Sequence, residues 1–252
     1  MPSPIIIIPA RMGSTRLPGK PLADIGGLPM IVHVLRRARE SALGPVLVAC
    51  AEPEIAAAVK ADGGDAVLTP PDLPSGSDRV HAALDLADPG GRHDIVINLQ
   101  GDLPGFPPEA LRSLLAVLDD PGFDIATLVA PITSDAEAAS ESVVKAACGF
   151  APGSRTAAAL YFSRTPVPHG PGPLWHHVGV YAYRREALAR FVALPPSPLE
   201  LREKLEQLRA LEAGMRIGCA AIDRAPFGVD TPEDLDRAKQ TLRETLRKET
   251  AP

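Results

Sequence analysis

The chain opens on four consecutive isoleucines, Ile5 to Ile8, which run straight into a polar, glycine-bearing turn. An unbroken β-branched run bounded by turn residues predicts a strand covered on both faces. Met30–Ala42 (MIVHVLRRARESA) then places apolar residues at helical spacing, with Arg36, Arg37, Arg39 and Glu40 on the outer face. Val46–Ala51 reads as a second buried strand. Pro53 can take the first position of a short Ala-rich helix over 54–62, which Gly63 and Gly64 stop ahead of a brief strand at Ala66–Leu68. The order so far is β-α-β-α-β, which predicts a mostly parallel sheet with right-handed crossovers.

Leu73–Arg79 (LPSGSDR) opens a helix to about Ala87, with Ser75 or Ser77 as its cap. The same helix start suits a base, ribose or phosphate contact. Asp94–Asp102 (DIVINLQGD) reads as a strand ending in Gln100-Gly101-Asp102, followed by a helix at Pro107–Asp119 and a strand at Ile125–Val129. From Ser142 the style changes. Val143–Cys148 and Thr156–Phe162 predict an antiparallel hairpin, and His177–Tyr183 returns to the sheet after a Pro/Gly-rich loop. Ser197-Pro198-Leu199-Glu200 is a capping box launching one long helix to Gly214, with Leu199, Leu201, Leu205, Leu208 and Leu211 as its buried stripe. After a strand at Ile217–Ile222, Thr231 caps a last helix with Pro232 in its first position. The expected architecture is a single α/β domain over 1–252: a mostly parallel, Rossmann-like sheet flanked by helices, with a small antiparallel insertion at about 142–183.

The first turn carries the clearest chemistry. Arg11, Arg16 and Lys20, spaced by Gly13 and Gly19, follow directly on a buried strand. Fixed cations on a glycine-permissive backbone suit a polyanion such as a triphosphate. A Walker A loop fails on count, because five residues separate Gly13 from Gly19 and Pro21 follows Lys20. A net charge of −5 argues against non-specific nucleic-acid binding, so these cations need a local, small-anion explanation. Asp102 stands after a glycine at a strand end, where ligands of open α/β sheets bind, and is a candidate metal ligand. Asp230 sits just before the last helix, as a second acid or a partner of the helix dipole. For Glu203, Glu206 and Gln207 the local reading is a solvated helix face. Hydrophobic content of 45% supports a proper core, and three distant cysteines read as free thiols in a reducing compartment. No targeting signal or membrane span is evident, which points to the cytoplasm.

These residues together resemble one family, the 3-deoxy-manno-octulosonate (KDO) cytidylyltransferases. The likeness includes PARMGSTRLPGKPL at Pro9–Leu22, PMIVHV at Pro29–Val34, SGSDR at Ser75–Arg79 and NLQGD at Asn98–Asp102. It continues through LYFSR at Leu160–Arg164, HVGVYAY at His177–Tyr183, PSPLE and LEQLR in the long helix, and GVDTPEDL at Gly228–Leu235. It implies a nucleotide-diphospho-sugar transferase type of fold and transfer of CMP from CTP to the anomeric hydroxyl of KDO. It also implies magnesium, a homodimer and a place in lipopolysaccharide synthesis. By position, the backbone near Ala10 with Arg11 and Lys20 would hold the CTP phosphates, and Ser75, Gly76, Arg79 and Gln100 would lie near the nucleotide. Asp102 and Asp230 match the family's metal-binding acids. Arg16, Gln100, Arg164, His177, Tyr181, Glu206 and Gln207 fall where the family contacts the acid sugar, against the local reading of Glu206 and Gln207. The chain departs from the family at Leu103, where an acid is frequent, at Leu201, where a histidine is frequent, and in detail at Pro104-Gly105-Phe106.

Overall fold

In the computed structural model, which describes residues 2–249 with side chains up to Thr241, the isoleucine run forms β1 (Pro4–Ala10). Ile6 and Ile8 face one apolar layer while Ile5 and Ile7 face the other, so all four are buried. A single 3-10 turn at Lys20–Leu22 and a small ribbon, β2 (Asp24–Ile25) with β3 (Leu28–Pro29), lead into α1 (Met30–Glu40). Then come β4 (Val46–Cys50), α2 (Pro53–Ala61) and β5 (Asp65–Leu68), close to their predicted bounds. Of the two candidate serines, Ser75 caps α3 (Gly76–Ala87): its Oγ accepts the Ser77 and Asp78 N–H groups at 3.1 and 3.2 Å. β6 (Ile95–Asn98) is shorter than predicted: Leu99 N–H still donates to Ile7 O of β1, but the chain turns away at Gly101 and Asp102.

The chain continues through α4 (Ala110–Leu118), β7 (Ile125–Pro131), α5 (Asp135–Ala139), β8 (Lys145–Cys148), β9 (Thr156–Ser163) and β10 (Trp175–Arg184). It finishes with α6 (Arg185–Val192), α7 (Pro198–Glu203), α8 (Leu208–Glu212), β11 (Ile217–Ala221) and α9 (Pro232–Glu249). Among the described residues no helix is long and apolar enough to cross a membrane, and the three cysteines are free.

Nine strands form one sheet in the order β5-β4-β1-β6-β10-β7-β11-β9-β8. The expectation of a mostly parallel sheet is corrected, while the antiparallel portion expected at about 142–183 is present as β8–β10 within the one sheet. β5, β4, β1 and β6 pair in parallel, as do β7 and β11. β10 lies in the middle of the sheet, antiparallel to both β6 and β7, and β9 is antiparallel to β11 and β8. The sheet is mixed, and β8–β10 are part of it. Pairing direction depends on which strands meet in space, often across long stretches of chain, and local periodicity does not encode that.

The predicted long helix is also corrected. It is broken at Lys204, which takes a left-handed φ of 55°, between α7 and α8. Tertiary bonds hold the break against local propensity. Arg164 Nε donates to Glu203 O at 2.7 Å and Nη2 to Lys204 O at 3.2 Å, while the Glu203 carboxylate accepts from Arg164 N–H at 3.0 Å. In consequence Leu201 is exposed, while Leu205 and Leu208 are buried. The capping box at Ser197 and Glu200 forms as predicted, and Glu200 is further held by the Arg209 guanidinium.

One buried acid ties α3 to the start of α6. Asp88 accepts the Arg92 and His93 N–H groups at 3.1 and 3.0 Å and pairs with Arg185 Nη1 at 2.8 Å. Burial pushes its pKa up, but these donors prevail and hold it well below the usual carboxylate range. Such a group contributes stability that is present above the unfolded pKa, near 3.9, and lost as pH falls towards the folded value. Asp88→Ala should cost about 2 kcal/mol through its stranded donors. In thermal melts from pH 7 to pH 3 the advantage of the wild type over the variant should be constant down to about pH 4 and begin to shrink below it.

Candidate active site

A cleft of about 420 Å³ opens at the carboxyl ends of β1 and β6. The sequence places the ends of two parallel neighbours here, and the chain turns away from each, leaving a crevice between the turns. Ala10 and Arg11 come from the end of β1, and Arg16 and Lys20 from the turn after it. Ser75, Gly76 and Arg79 come from the start of α3, and Gln100 and Asp102 from the turn after β6. Asp230 enters from the segment before α9. A small third core of Leu17, Ile25, Met30, Val229 and Ala238 packs the first turn against α9, which brings Asp230 to the cleft. Gly101 is needed for close approach, since a Cβ there would lie 2.9 Å from the Pro9 carbonyl oxygen.

Four cations face two carboxylates across this cleft, in a chain of net charge −5. Lys20 Nζ sits between the acids, donating to Asp102 Oδ2 at 2.7 Å and Asp230 Oδ1 at 2.9 Å, and Arg16 pairs with Asp230 Oδ2 at 3.1 Å. Burial alone would lower the Lys20 pKa, but Asp102 and Asp230 outweigh it and hold the ammonium above its usual value. Burial likewise opposes ionisation of Asp230, and Lys20 with Arg16 reverses that, leaving its carboxyl below the usual range. Arg11 is exposed at the mouth. Arg79 is 2% exposed and shapes the floor, donating to Thr69 Oγ1 at 2.6 Å and to the Pro70 and Pro71 carbonyls at 3.0 and 3.2 Å. Gln100 Nε2 donates to Asn98 Oδ1 at 3.0 Å.

The other five predicted residues lie outside the cleft lining, and four of them form a polar and aromatic cluster beside it, His177 and Gln207 buried and Tyr181 and Glu206 half-buried. His177 Nε2 bonds Thr127 Oγ1 at 3.0 Å, and Gln207 Nε2 lies 3.5 Å from His177 Nδ1. With the amide donating to Nδ1, the ring proton is assigned to Nε2. The register of β10 against β7 shifts between Val178 and Tyr181, and Thr127 Oγ1 also bonds the Val178 and Val180 carbonyls there. Strand alternation puts the His177 and Tyr181 rings on one side of the sheet, and this irregularity brings them to 5.6 Å. Glu206 reaches the cleft's rim, where its Oε2 accepts from Ser77 Oγ at 3.1 Å, while its buried Oε1 has no protein partner. Burial raises the Glu206 pKa, against the pull of the Ser77 hydroxyl. Arg164 stands further out, at the helix break, with Nη1 donating to Glu141 O at 2.9 Å. One N–H on each terminal nitrogen remains beyond these bonds.

Sequence reasoning missed Ser77 and Thr127, whose partners are distant in the chain, and Glu52, whose Oε2 accepts the Met12 N–H at 3.0 Å and steadies the first turn. No local pattern marks them. Among the described residues no cluster of three or more His, Cys, Asp or Glu could hold a metal ion, so Asp102 and Asp230 stand as a pair.

Comparison with known proteins gives the same chemistry a lineage. The sequence profile of the cytidylyltransferase family matches residues 5–217. A 3-deoxy-manno-octulosonate cytidylyltransferase of Paramagnetospirillum magneticum is 59% identical over 96% of this chain and 98% of its own length. The chain belongs to the 3-deoxy-manno-octulosonate cytidylyltransferase family. Another member, from Parvibaculum lavamentivorans, is 61% identical over 95% of this chain and 92% of its own. The solved structure of a CMP:2-keto-3-deoxy-manno-octonic acid synthetase complexed with CTP superposes with a TM-score of 0.88 at 42% identity, covering 96% of this chain and 99% of that one. A nucleotidyl transferase of Methanothermobacter shares the fold at 15% identity, with a TM-score of 0.60.

Burial pushes the His177 pKa down to about 3, so its ring should stay neutral throughout the physiological range. Imidazole NMR resonances of His177 are expected not to titrate between about pH 5 and 8. A midpoint in that window would contradict the neutral ring with Nδ1 as an acceptor.

Proposed function

We propose that this chain transfers CMP from CTP to the anomeric hydroxyl of KDO, releasing pyrophosphate, as a step of lipopolysaccharide synthesis. The observation that carries the reading is contiguity. A cationic cleft at the sheet's carboxyl ends adjoins, through Ser77 and Glu206, the polar and aromatic cluster of His177, Tyr181 and Gln207. Identity of about 60% to members of the KDO family along nearly the whole chain supports it. A homodimer in the cytoplasm is part of the same proposal.

In the reaction the sugar hydroxyl oxygen bonds to the α-phosphorus, the bond from that phosphorus to the pyrophosphate oxygen breaks, and the hydroxyl proton passes to solvent. Positioning and electrostatic stabilisation carry most of such a transfer. Arg11, Lys20 and the backbone near Ala10 would bind the phosphates, with Ser75, Gly76, Arg79 and Gln100 along the nucleotide. Arg16 and Gln100 would turn towards the sugar, and His177, Tyr181, Glu206 and Gln207 would bind its hydroxyls. The two N–H groups remaining on Arg164 suit a bidentate contact with its carboxylate.

The donor set fits magnesium. Asp102 and Asp230 converge on one cationic point, now the Lys20 ammonium, and magnesium takes one or two carboxylates together with substrate phosphates. When bound, such an ion supplies positive charge to the phosphate oxygens and acidifies the attacking hydroxyl. With an ion held by Asp102 and Asp230, the Lys20 ammonium would be free to bind the phosphates.

Pyrophosphate release with CTP, magnesium and KDO tests the reading, set beside an acylneuraminate, an amino-KDO and other 2-keto sugar acids. KDO should turn over fastest, and Lys20→Ala should lose about 10²–10³-fold. Faster turnover of another acid sugar would overturn the substrate assignment. Asp230→Asn should lose turnover far more than CTP affinity, and equal losses would remove the acid from the chemistry.

A further inference from the structure

We infer that Ser77 is a positioning residue for the acceptor sugar: its hydroxyl tethers one oxygen of Glu206 so that the other is presented, bare, to a sugar hydroxyl. The inference rests on the proposed reading of Glu206 as a sugar contact.

Ser77 is the second residue of α3 and is 2% exposed. Its hydroxyl is not needed by the helix. Ser75 Oγ already accepts the Ser77 and Asp78 N–H groups, and donates its own proton to Asp78 Oδ2 at 2.7 Å. The Ser77 hydroxyl instead reaches across 129 residues to Glu206 Oε2, at 3.1 Å. Glu206 Oε1, on the same carboxylate, is buried and has no protein partner. An unpartnered buried polar atom is costly, so an acceptor kept in that state fits a site whose partner is the ligand. A carboxylate anchored at one oxygen loses its freedom to rotate, and the bare oxygen becomes an acceptor with a set direction.

The tether also joins the two halves of the site. Ser75 and Gly76, immediately before Ser77, line the cationic cleft, while Glu206 belongs to the neighbouring cluster. The break of the predicted helix at Lys204 makes the contact possible, because an unbroken helix would carry Glu206 on a different path. A hydroxyl that merely satisfied a buried carboxylate would contribute to folding alone. A positioning hydroxyl should act on the sugar and leave the nucleotide untouched.

Steady-state kinetics of Ser77→Ala, Ser77→Thr, Glu206→Ala and the Ser77→Ala/Glu206→Ala double variant separate these roles. Ser77→Ala should raise KM for KDO by about tenfold, the effect of losing one hydrogen bond to a charged group. KM for CTP should stay within about twofold, since the cap at Ser75 is intact. Ser77→Thr, which keeps the hydroxyl, should restore KM for KDO. In the Glu206→Ala background, removing Ser77 should add nothing. If the Ala variant is too unstable to assay, Ser77→Cys, a weaker donor, should give an intermediate KM. Glu206→Ala raising KM for KDO while Ser77→Ala leaves it unchanged would overturn the tether and leave Glu206 as a sugar contact. An unchanged KM in Glu206→Ala would remove both. A fall in thermal stability with both KM values moving together would mark Ser77 as structural only.

Discussion

The contact on which the site depends is the Lys20 ammonium held between Asp102 and Asp230, at 2.7 and 2.9 Å. Its partners lie 82 and 210 residues away in the chain, so one cation ties together the first turn, the end of β6 and the entrance to α9. A half-buried ammonium without counter-charge would be driven towards the neutral amine, and two facing carboxylates without a cation would repel. Lys20 is held protonated by the two acids, and Asp230 is held ionised by Lys20 and Arg16. The apolar packing of Leu17 against Val229 and the absence of a side chain at Gly101 bring the three segments within reach. Charge supplies the chemistry and packing sets the distances.

The mixed sheet serves the same end. With β10 lying between β6 and β7, His177 and Tyr181 stand on a strand that is the direct neighbour of the one ending at the Gln100–Asp102 turn. Strand alternation puts both rings on one side of the sheet, and the register shift at Val178–Tyr181, held by Thr127, brings them to 5.6 Å. Beyond them, the break at Lys204 delivers Glu206 and Gln207 to that side. The sugar half of the proposed site is thus made from two departures from regular structure, a bulge and an interrupted helix. Both are stabilised by side chains distant in sequence.

That difference decides what could be read from residues alone. The β-α-β-α-β order of the first part, the Ser75 cap, the capping box at Ser197 and the buried isoleucine strand each follow from neighbours a few positions apart, and all are present. The grouping of Arg11, Arg16, Lys20 and Asp102 was legible because strand ends in α/β sheets gather ligands and because polar turns follow apolar strands, whereas Asp230 joined them only through the family resemblance. The place of β10 was not, since pairing direction is decided by distant strands. The Leu-rich segment after Pro198 has helical spacing and no Gly or Pro near Lys204, so nothing local announces a break that Arg164 and Glu203 impose. Ser77 was visible only as a possible cap, because its partner is 129 residues away.

On the proposed reading, Asp102 and Asp230 would hold a divalent ion in place of Lys20 once nucleotide phosphates are bound. Mn²⁺ uptake followed by electron paramagnetic resonance, with and without CTP, tests it most directly. The wild type should take up Mn²⁺ at least about tenfold more tightly with CTP than without. Asp102→Asn and Asp230→Asn should each weaken uptake in the CTP complex, and Lys20→Ala should gain affinity for Mn²⁺ in the absence of CTP. Uptake in the CTP complex that is unchanged in both aspartate variants would contradict the claim.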